Sequence, residues 1–567
     1  MLTGTNGQTD WSIVECDRAL TRALASETGL HPIIARILIG RGVSSPEEVQ
    51  RFLNPTLDFI CDPLTLTDMA AAVERLRRAR DAGEHVLVFG DYDVDGISAT
   101  ALLVRALRRF GIATCSYGMP NRLVDGYGLS PDRVDAAKDA GVSLIVTVDN
   151  GIAAHASCER ARKLGIDVIV TDHHLIEGEL PPALAVINPQ REAPTHPCRE
   201  ACGAAVAFHL ARALTGDACD LDLVALGTVA DVVPLRGENR NLVAAGLKAA
   251  TQVTRPGIQA LAKVAGVNLS TLTAEQIAFQ IAPRINAGGR MGDGLSALEL
   301  LLTDSPDEAR VLAEELDAAN QERRVLESDT VAEVLAELEA NFRPEQRTIV
   351  LARRGWHRGV IGIVASRIQS VHYRPVVLIG IDEDGIGRGS ARSIAGFNIA
   401  EAMNACVEHL VTCGGHAAAA GLTIREESVP AFVEMFEAQA ATLLPAGDLR
   451  KQLRIDAQVG LSEIDSRLVT QLEQLQPFGN TNPAPLFCSF GAEPMPYSWR
   501  ELRGGHLKVA LRNGSRVMDA IGFRMAERLG ELSSAPAVDI AFSPQFNTWR
   551  GETSVQLVIK DIRPAQE

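Results

Sequence analysis

Paired cysteines are missing from this chain of 567 residues. Its ten cysteines are scattered without paired spacing, which excludes the disulfide framework of a small secreted domain and reads as reduced, intracellular thiols. His196, Cys198 and Cys202 suggest zinc by residue type, but no second cysteine pair accompanies them, and that loop is read as structural. No uninterrupted apolar run is long enough to span a bilayer, and the first thirty residues hold Asp10, Glu15 and Asp17 without a basic-then-apolar signal. A cytoplasmic protein with no membrane contact is expected. Net positive charge is lacking too: at −16 the chain is unsuited to non-specific duplex binding, which rests on lysine and arginine.

The chain does have acid at the ends of apolar strands. In Val86-Leu87-Val88-Phe89-Gly90-Asp91-Tyr92-Asp93-Val94-Asp95-Gly96 three carboxylates alternate where an apolar strand ends. Like charges so concentrated repel one another unless divalent cations neutralise them. Leu144-Ile145-Val146-Thr147-Val148 runs into Asp149-Asn150-Gly151, and Val168-Ile169-Val170 runs into Thr171-Asp172-His173-His174. Open parallel sheets place active sites at such carboxyl ends. Asp-x-Asp-x-Asp-Gly alone also opens calcium loops and Asx-turns. Here no closing Glu follows and the flanks are a strand and an apolar helix, so the calcium reading fails. An isolated Asp-His-His is most often a capped turn, but the motifs stand in register on consecutive strands.

Asp231 interrupts the apolar run 221–235, where a carboxylate seldom sits without a counter-charge. The bland reading is a helix cap or a paired core Asp; beside the other motifs a metal ligand is favoured. Asp93, Asp95, Asp149, His173 and Asp231 then form an oxygen-rich nest containing imidazole, with room for two divalent ions. Imidazole among carboxylates suits Mn²⁺ better than Ca²⁺, with Mg²⁺ an alternative through its abundance.

These motifs, continued by Pro283-Arg284-Ile285-Asn286-Ala287-Gly288-Gly289-Arg290-Met291-Gly292, Gly355-Trp356-His357-Arg358-Gly359-Val360-Ile361-Gly362 and Cys413-Gly414-Gly415-His416, span nearly the whole chain. In them it resembles the DHH phosphoesterases, and within that family the bacterial exonucleases specific for single-stranded DNA. The resemblance implies an α/β protein: a parallel-sheet DHH catalytic lobe joined by a long helix to a DHH-associated α/β lobe, plus a C-terminal OB-fold-like β-barrel. It further implies degradation of single-stranded DNA from the 5′ end to mononucleotides, in recombination and repair, alongside single-strand-binding protein and a helicase. Arg122, Ser390 and Arg392 match positions that grip the terminal 5′ phosphate in relatives, Tyr127 a base-stacking position, Arg290 a further phosphate contact, and His416 the signature histidine of the DHH-associated domain.

Pattern along the chain agrees with this division. Residues 1–83 read as a helical, amphipathic region and 84–240 as the strand–helix alternation of a sheet covered on both faces. Over 241–342 helices dominate; Ser305-Pro306-Asp307-Glu308 is a capping box opening a helical pattern to about Phe342. Residues 343–445 form the second lobe, where 353–392 holds seven Arg and no Lys, a bias toward planar phosphate recognition over mere solubility. Short β-rich segments fill 450–567, with Asn513-Gly514 as a type I′ hairpin signal.

The chemistry expected is metal-assisted hydrolysis of a phosphodiester. Asp91 and Asp172 are expected to orient metal ligands, and His174 to stabilise phosphate oxygens or protonate the leaving group. A DHH phosphodiesterase acting on dinucleotides or short oligonucleotides is the nearer rival, but it would need only the two lobes. A non-catalytic DNA-binding scaffold is the more distant one, and such proteins lose metal ligands.

Overall fold

Amphipathic helices need something to lie on, and the first ones of this chain lie on its far end. The computed structural model describes residues 9–121, 128–252, 255–291, 294–444, 449–549 and 551–565. A strand β1 (Asp10–Ile13) precedes α1 (Arg18–Thr28), α2 (Pro32–Gly40) and α3 (Pro46–Leu53). Proline in the first turn and a reciprocal Ser45–Glu48 capping box start α3. Leu24, Ile34, Leu38 and Val49 share one buried core with Phe487, Leu507 and Phe542 of the carboxyl-terminal barrel. The next helix, α4 (Met69–Ala82), belongs elsewhere: Met69 and Leu76 are buried with Leu102 and Phe208.

The catalytic lobe is a five-stranded parallel sheet of β2 (His85–Phe89), β3 (Thr114–Gly118), β4 (Leu144–Val148), β5 (Asp167–Thr171) and β6 (Ala185–Ile187). Its strand order is β3-β2-β4-β5-β6, so the winding reverses between β2 and β4. All of β4 is buried, as befits a strand covered on both faces. Around it lie α5 (Val94–Phe110), α6 (Pro131–Asp139), α7 (His155–Leu164), α8 (Gly203–Thr215), α9 (Leu221–Ala230) and α10 (Gly237–Ala250). The helix after the first motif starts at Val94, because Asp93 caps it.

Helices α11 (Pro256–Ala265), α12 (Ala274–Gln276), α13 (Ala282–Met291) and α14 (Leu295–Leu302) lead to α15 (Pro306–Asn341). At about 1.5 Å per residue the 36 residues of α15 form a rod of roughly 54 Å. Ala309, Ala313 and Leu316 pack on the catalytic lobe. Val331, Val334 and Leu338 pack on the second lobe. One helix thus belongs to two cores and ties them together.

The second lobe comprises β7 (Ile349–Arg354), α16 (Arg358–His372), β8 (Val376–Ile381), β9 (Ile386–Arg392), α17 (Ile399–Asn404), β10 (Thr412–His416), β11 (Ala419–Arg425) and α18 (Val429–Leu443). Its strand order is β10-β11-β9-β8-β7. Then follow β12 (Gln452–Ile455), β13 (Ala457–Gln458), β14 (Phe487–Pro494), β15 (Arg500–Leu502), β16 (His506–Asn513), β17 (Arg516–Gly522), β18 (Val538–Trp549) and β19 (Glu552–Pro564). The run β14-β18-β19-β17-β16 closes because β14 also pairs with β16, and closure removes the sheet edges.

Two expectations change. The amino-terminal region is not one helical unit: it contributes β1, which pairs in parallel with β12, and its helices divide between the barrel and the catalytic lobe. Periodicity reports that a helix has an apolar face, not which surface covers it. The hairpin turn also moves by one residue. Asn513 pairs with Arg516 as the end of a strand, and φ is positive only at Gly514, so Gly514-Ser515 is the two-residue loop, in the φ pattern of a II′ turn. Among the described residues no helix is long and apolar enough to cross a membrane.

Ile34, fully buried, reports on the shared core. Ile34→Ala is expected to lower stability to denaturant by about 2–5 kcal/mol, read by circular dichroism. An unchanged midpoint would mean that the amino-terminal helices dock without supporting the barrel.

Candidate metal centre and interlobe cleft

Three loops leave the carboxyl ends of β2, β4 and β5, the first two at the reversal of winding, where open α/β sheets hold ligands. After β2 the chain folds back tightly: a Cβ on Gly96 would stand 2.6 Å from the carbonyl oxygen of Asp91. Asp93 accepts from the backbone amides of Asp95 and Gly96 at 3.0 and 3.1 Å. Asp95 is buried, and its two oxygens accept from Gly203 at 2.6 Å and Ala204 at 2.9 Å. The positive end of α8 is thereby aimed at a carboxylate. Gly203 is required there, since its Cβ would fall 2.5 Å from Cβ of Asp149.

Asp149 follows β4 with φ +61, a left-handed conformation that non-glycine residues adopt only where the surroundings enforce it. Part of that enforcement comes from Asn150, whose amide donates to the carbonyls of Phe89 at 3.1 Å and Val148 at 2.9 Å. After β5, one oxygen of Asp172 accepts from the backbone amides of His173 (2.7 Å) and His174 (3.1 Å) and from Nδ1 of His174 (2.7 Å). The other accepts from Ile152 at 2.9 Å. His173 Nε2 lies 3.0 Å from Asp149, 3.7 Å from Asp231 and 3.8 Å from Asp95.

Asp231 arrives at the end of α9, followed by Val232 at φ +59. The barrel region holds this strained segment: Asn480 Nδ2 donates to the Val232 carbonyl at 2.7 Å and the Asn480 carbonyl accepts from Leu235 at 2.8 Å.

Electrostatics shows what the cluster needs. Burial, then the charge of Asp93, pushes Asp95 up to about 6. Burial and Asp95 push Asp231 up to about 8. Burial and its carboxylate neighbours hold Asp149 well above the ordinary carboxylate range. Burial pushes His173 down to about 4, leaving its ring neutral at neutral pH. Burial also opposes charge on His174, but the hydrogen bond and charge of Asp172 outweigh it and raise that ring to about 9. Asp172, which burial alone would raise, is held below its ordinary value by the His174 bond. A pocket of carboxylates that resist ionisation beside a neutral imidazole is suited to a cation.

The donors fall into joined groups. Donor atoms of Asp91, Asp93 and Asp149 lie within 4.8 Å of one another, as do those of Asp95, His173 and Asp231 and those of Asp149, His173 and His174. Asp149 and His173 belong to more than one group, so the set fits a pair of divalent ions. Asp91, expected to orient ligands from outside, stands among the donors. Asp172 stands outside them and holds His174.

The second lobe faces this centre. His174 and Ile152 line a cleft of about 460 Å³ together with Met403, Gly414 and His416. Ser390 and Arg392 sit on β9, where Arg392 donates to Ser366 at 3.0 Å and to Ser390 at 3.0 Å. A Cβ on Gly362 of α16 would meet Ser390 Oγ at 2.9 Å. Arg290 is an interlobe strut: it donates to the Gly359 carbonyl at 3.0 Å, while a Cβ on neighbouring Gly289 would stand 3.0 Å from the carbonyl oxygen of Tyr92. Arg122 and Tyr127 lie outside the described residues. Three contributors carry no motif of their own: the amides of Gly203 and Ala204, the distant Asn480, and Arg199, which lines a smaller cleft of about 360 Å³ beside His173.

Known proteins resemble the chain in the same three parts. The DHH family N-terminal domain matches residues 85–228, the DHHA1 domain 345–442, and the RecJ OB domain 455–561. The single-stranded-DNA-specific exonuclease RecJ of Escherichia coli is 38% identical over 94% of this chain and 96% of its own length. That of Bacillus subtilis is 35% identical over 97% of this chain and 70% of its own. The crystal structure of RecJ from Thermus thermophilus in complex with Mn²⁺ superposes with a TM-score of 0.85 at 33% identity, covering 98% of this chain and 80% of that one. The same protein is also solved with Mg²⁺.

Because Asn480 fixes the loop that presents Asp231, Asn480→Ala is expected to weaken Mn²⁺ binding by about 10- to 100-fold, measured by titration calorimetry. Unchanged affinity would mean that the Asp231 loop holds itself.

Proposed function

The chain belongs to the RecJ family of single-stranded-DNA-specific exonucleases, and from that premise we propose a metal-dependent nuclease that removes mononucleotides from the 5′ end of single-stranded DNA, in recombination and repair. The cofactor is Mn²⁺ or Mg²⁺. The observation that carries this reading is the pairing of the carboxylate–imidazole centre with a facing lobe whose His416 lines the same cleft as His174, with Ser390 and Arg392 on β9 of that lobe.

In this reading Asp91, Asp93, Asp149, Asp95, His173 and Asp231 are the groups available to hold the ions. Bound there, divalent ions supply charge neutralisation and Lewis acidity for a phosphodiester displacement. His174, held by Asp172 and cationic at neutral pH, stabilises charge on the phosphate or delivers a proton to the leaving oxygen. Asp172 keeps that ring in place by accepting from its Nδ1.

Polarity needs recognition of a terminus, since in-line attack is chemically alike from either end. A terminal phosphate carries more charge and more free oxygens than an internal diester, and guanidinium groups beside a hydroxyl select it by charge-assisted hydrogen bonds. Ser390 and Arg392 form such a pair, and by family resemblance Arg122 completes the grip, Tyr127 stacks the adjacent base and Arg290 adds a phosphate contact. The closed barrel suits a groove for the rest of the strand. Single-strand-binding protein and a helicase are the expected partners, and the cytoplasm is the expected compartment.

A phosphodiesterase of short oligonucleotides would need the two lobes alone, and the barrel that closes against the amino-terminal helices favours a polymer. A non-catalytic scaffold is disfavoured by donors at every expected metal position. Digestion of end-labelled single-stranded and duplex DNA tests the reading: Mn²⁺- or Mg²⁺-dependent release of mononucleotides from the 5′ end of the single strand is expected, and cleavage from the 3′ end or equal cleavage of duplex would overturn it. Arg392→Ala is expected to remove most of the preference for a 5′ phosphate over a 5′ hydroxyl, worth about 1.5–3 kcal/mol for a lost bond to a charged group, in kcat/KM compared on the two ends. Full retention of that preference would displace the pocket.

A further inference from the structure

Away from the catalytic centre, four side chains from four separate segments converge. Cys61 lies in the loop before α4, Cys198 in a short 3₁₀ turn (Pro197–Glu200), His209 within α8 and Glu238 in the first turn of α10. Their donor atoms all lie within 4.8 Å of one another. Cys61 Sγ is 2.7 Å from Cys198 Sγ, and Cys198 Sγ is 3.5 Å from both His209 Nε2 and Glu238 Oε1. Cys198, His209 and Glu238 are buried. We propose that these four residues bind a structural zinc ion.

The argument is chemical. Two thiols, an imidazole and a carboxylate are four electron-rich donors, the complement of a closed tetrahedral site. Thiolates select against Mg²⁺ and Mn²⁺, which take oxygen, and in favour of zinc. The four donors already crowd one point, with His209 Nε2 2.5 Å from Glu238 Oε1. A disulfide between the two cysteines would engage only the sulfurs and give no reason for His209 and Glu238 to converge on Cys198.

The surroundings also resemble a built site. The second oxygen of Glu238 accepts from the Cys61 amide at 2.9 Å, and Arg212 donates to the Cys61 carbonyl at 2.8 Å, so the loop carrying Cys61 is held from two sides. His196, the imidazole nearest in sequence, turns away: its Nδ1 accepts from the Cys198 amide at 3.2 Å and its Nε2 is 3.1 Å from Thr65 Oγ1. Cys202 Sγ lies against Thr228 Oγ1 at 3.4 Å. The ion's role is to pin the segment before α4 to α8 and α10. Since the first amides of α8 hold Asp95, the site also fixes the helix on which the catalytic centre leans.

The test is elemental analysis of the full chain purified without chelator and dialysed to remove weakly held ions, with cobalt substitution as a second readout. About one zinc per chain is expected, and the cobalt form should show thiolate-to-metal charge-transfer absorption, which the oxygen and nitrogen donors of the catalytic centre cannot produce. Cys198→Ser and His209→Ala should lose both. Wild type alone is decisive even if these variants fold poorly: absence of zinc, absence of the charge-transfer band, or a Cys61–Cys198 disulfide found by mass spectrometry would each overturn the proposal. So would a band that survives intact in Cys198→Ser.

Discussion

Several carboxylates forced into one buried space repel one another, and the catalytic lobe is organised around that repulsion. Asp91, Asp93, Asp95, Asp149 and Asp231 are held together by devices whose purpose is otherwise hard to see. The amino end of α8 presses its amides against Asp95, glycine at position 203 removes the side chain that would block Asp149, and Asp149 itself is kept in a left-handed conformation. Each device carries a cost in strain or desolvation that a protein tolerates where chemistry needs it. Divalent ions return that cost by neutralising the charge.

The remainder of the molecule positions this centre against a strand end. The rod α15 is shared by two cores, so the lobes are set at a fixed separation. Arg290 crosses between them, and its helix touches the first motif loop through Gly289. The barrel is more than an appended groove, because Asn480 holds the loop behind Asp231. Arg240 of α10 strengthens that seam, donating to the carbonyls of Leu475 and Gln476 at 3.1 and 2.6 Å. The barrel and the metal centre are therefore mechanically joined.

Much of this was legible in the sequence, for reasons that also explain what was not. Apolar strands ending in acid announced the sheet and the site because strand, loop and ligand are contiguous. Ser305 announced α15 because caps are local. Asp231 was legible as an anomaly within an apolar run, and the helix-cap reading weighed for it agrees with its place at the end of α9. Contacts between distant segments left no trace: the pairing of β1 with β12, the shared core of Ile34 and Phe487, the grip of Asn480, and the meeting of Cys61 with Cys198 all join residues whose local patterns are complete without each other. Asp91, expected to orient ligands from outside, has a donor atom within 4.8 Å of those of Asp93 and Asp149, after the tight return at Gly96.

The central claim is that the cluster holds paired divalent ions and is built by their charge. Anomalous diffraction from crystals soaked in Mn²⁺ tests it most directly. The account predicts about two peaks within coordination distance of Asp149, one shared with Asp91 and Asp93 and one with His173 and Asp231. A single peak, or none among these side chains, would contradict it.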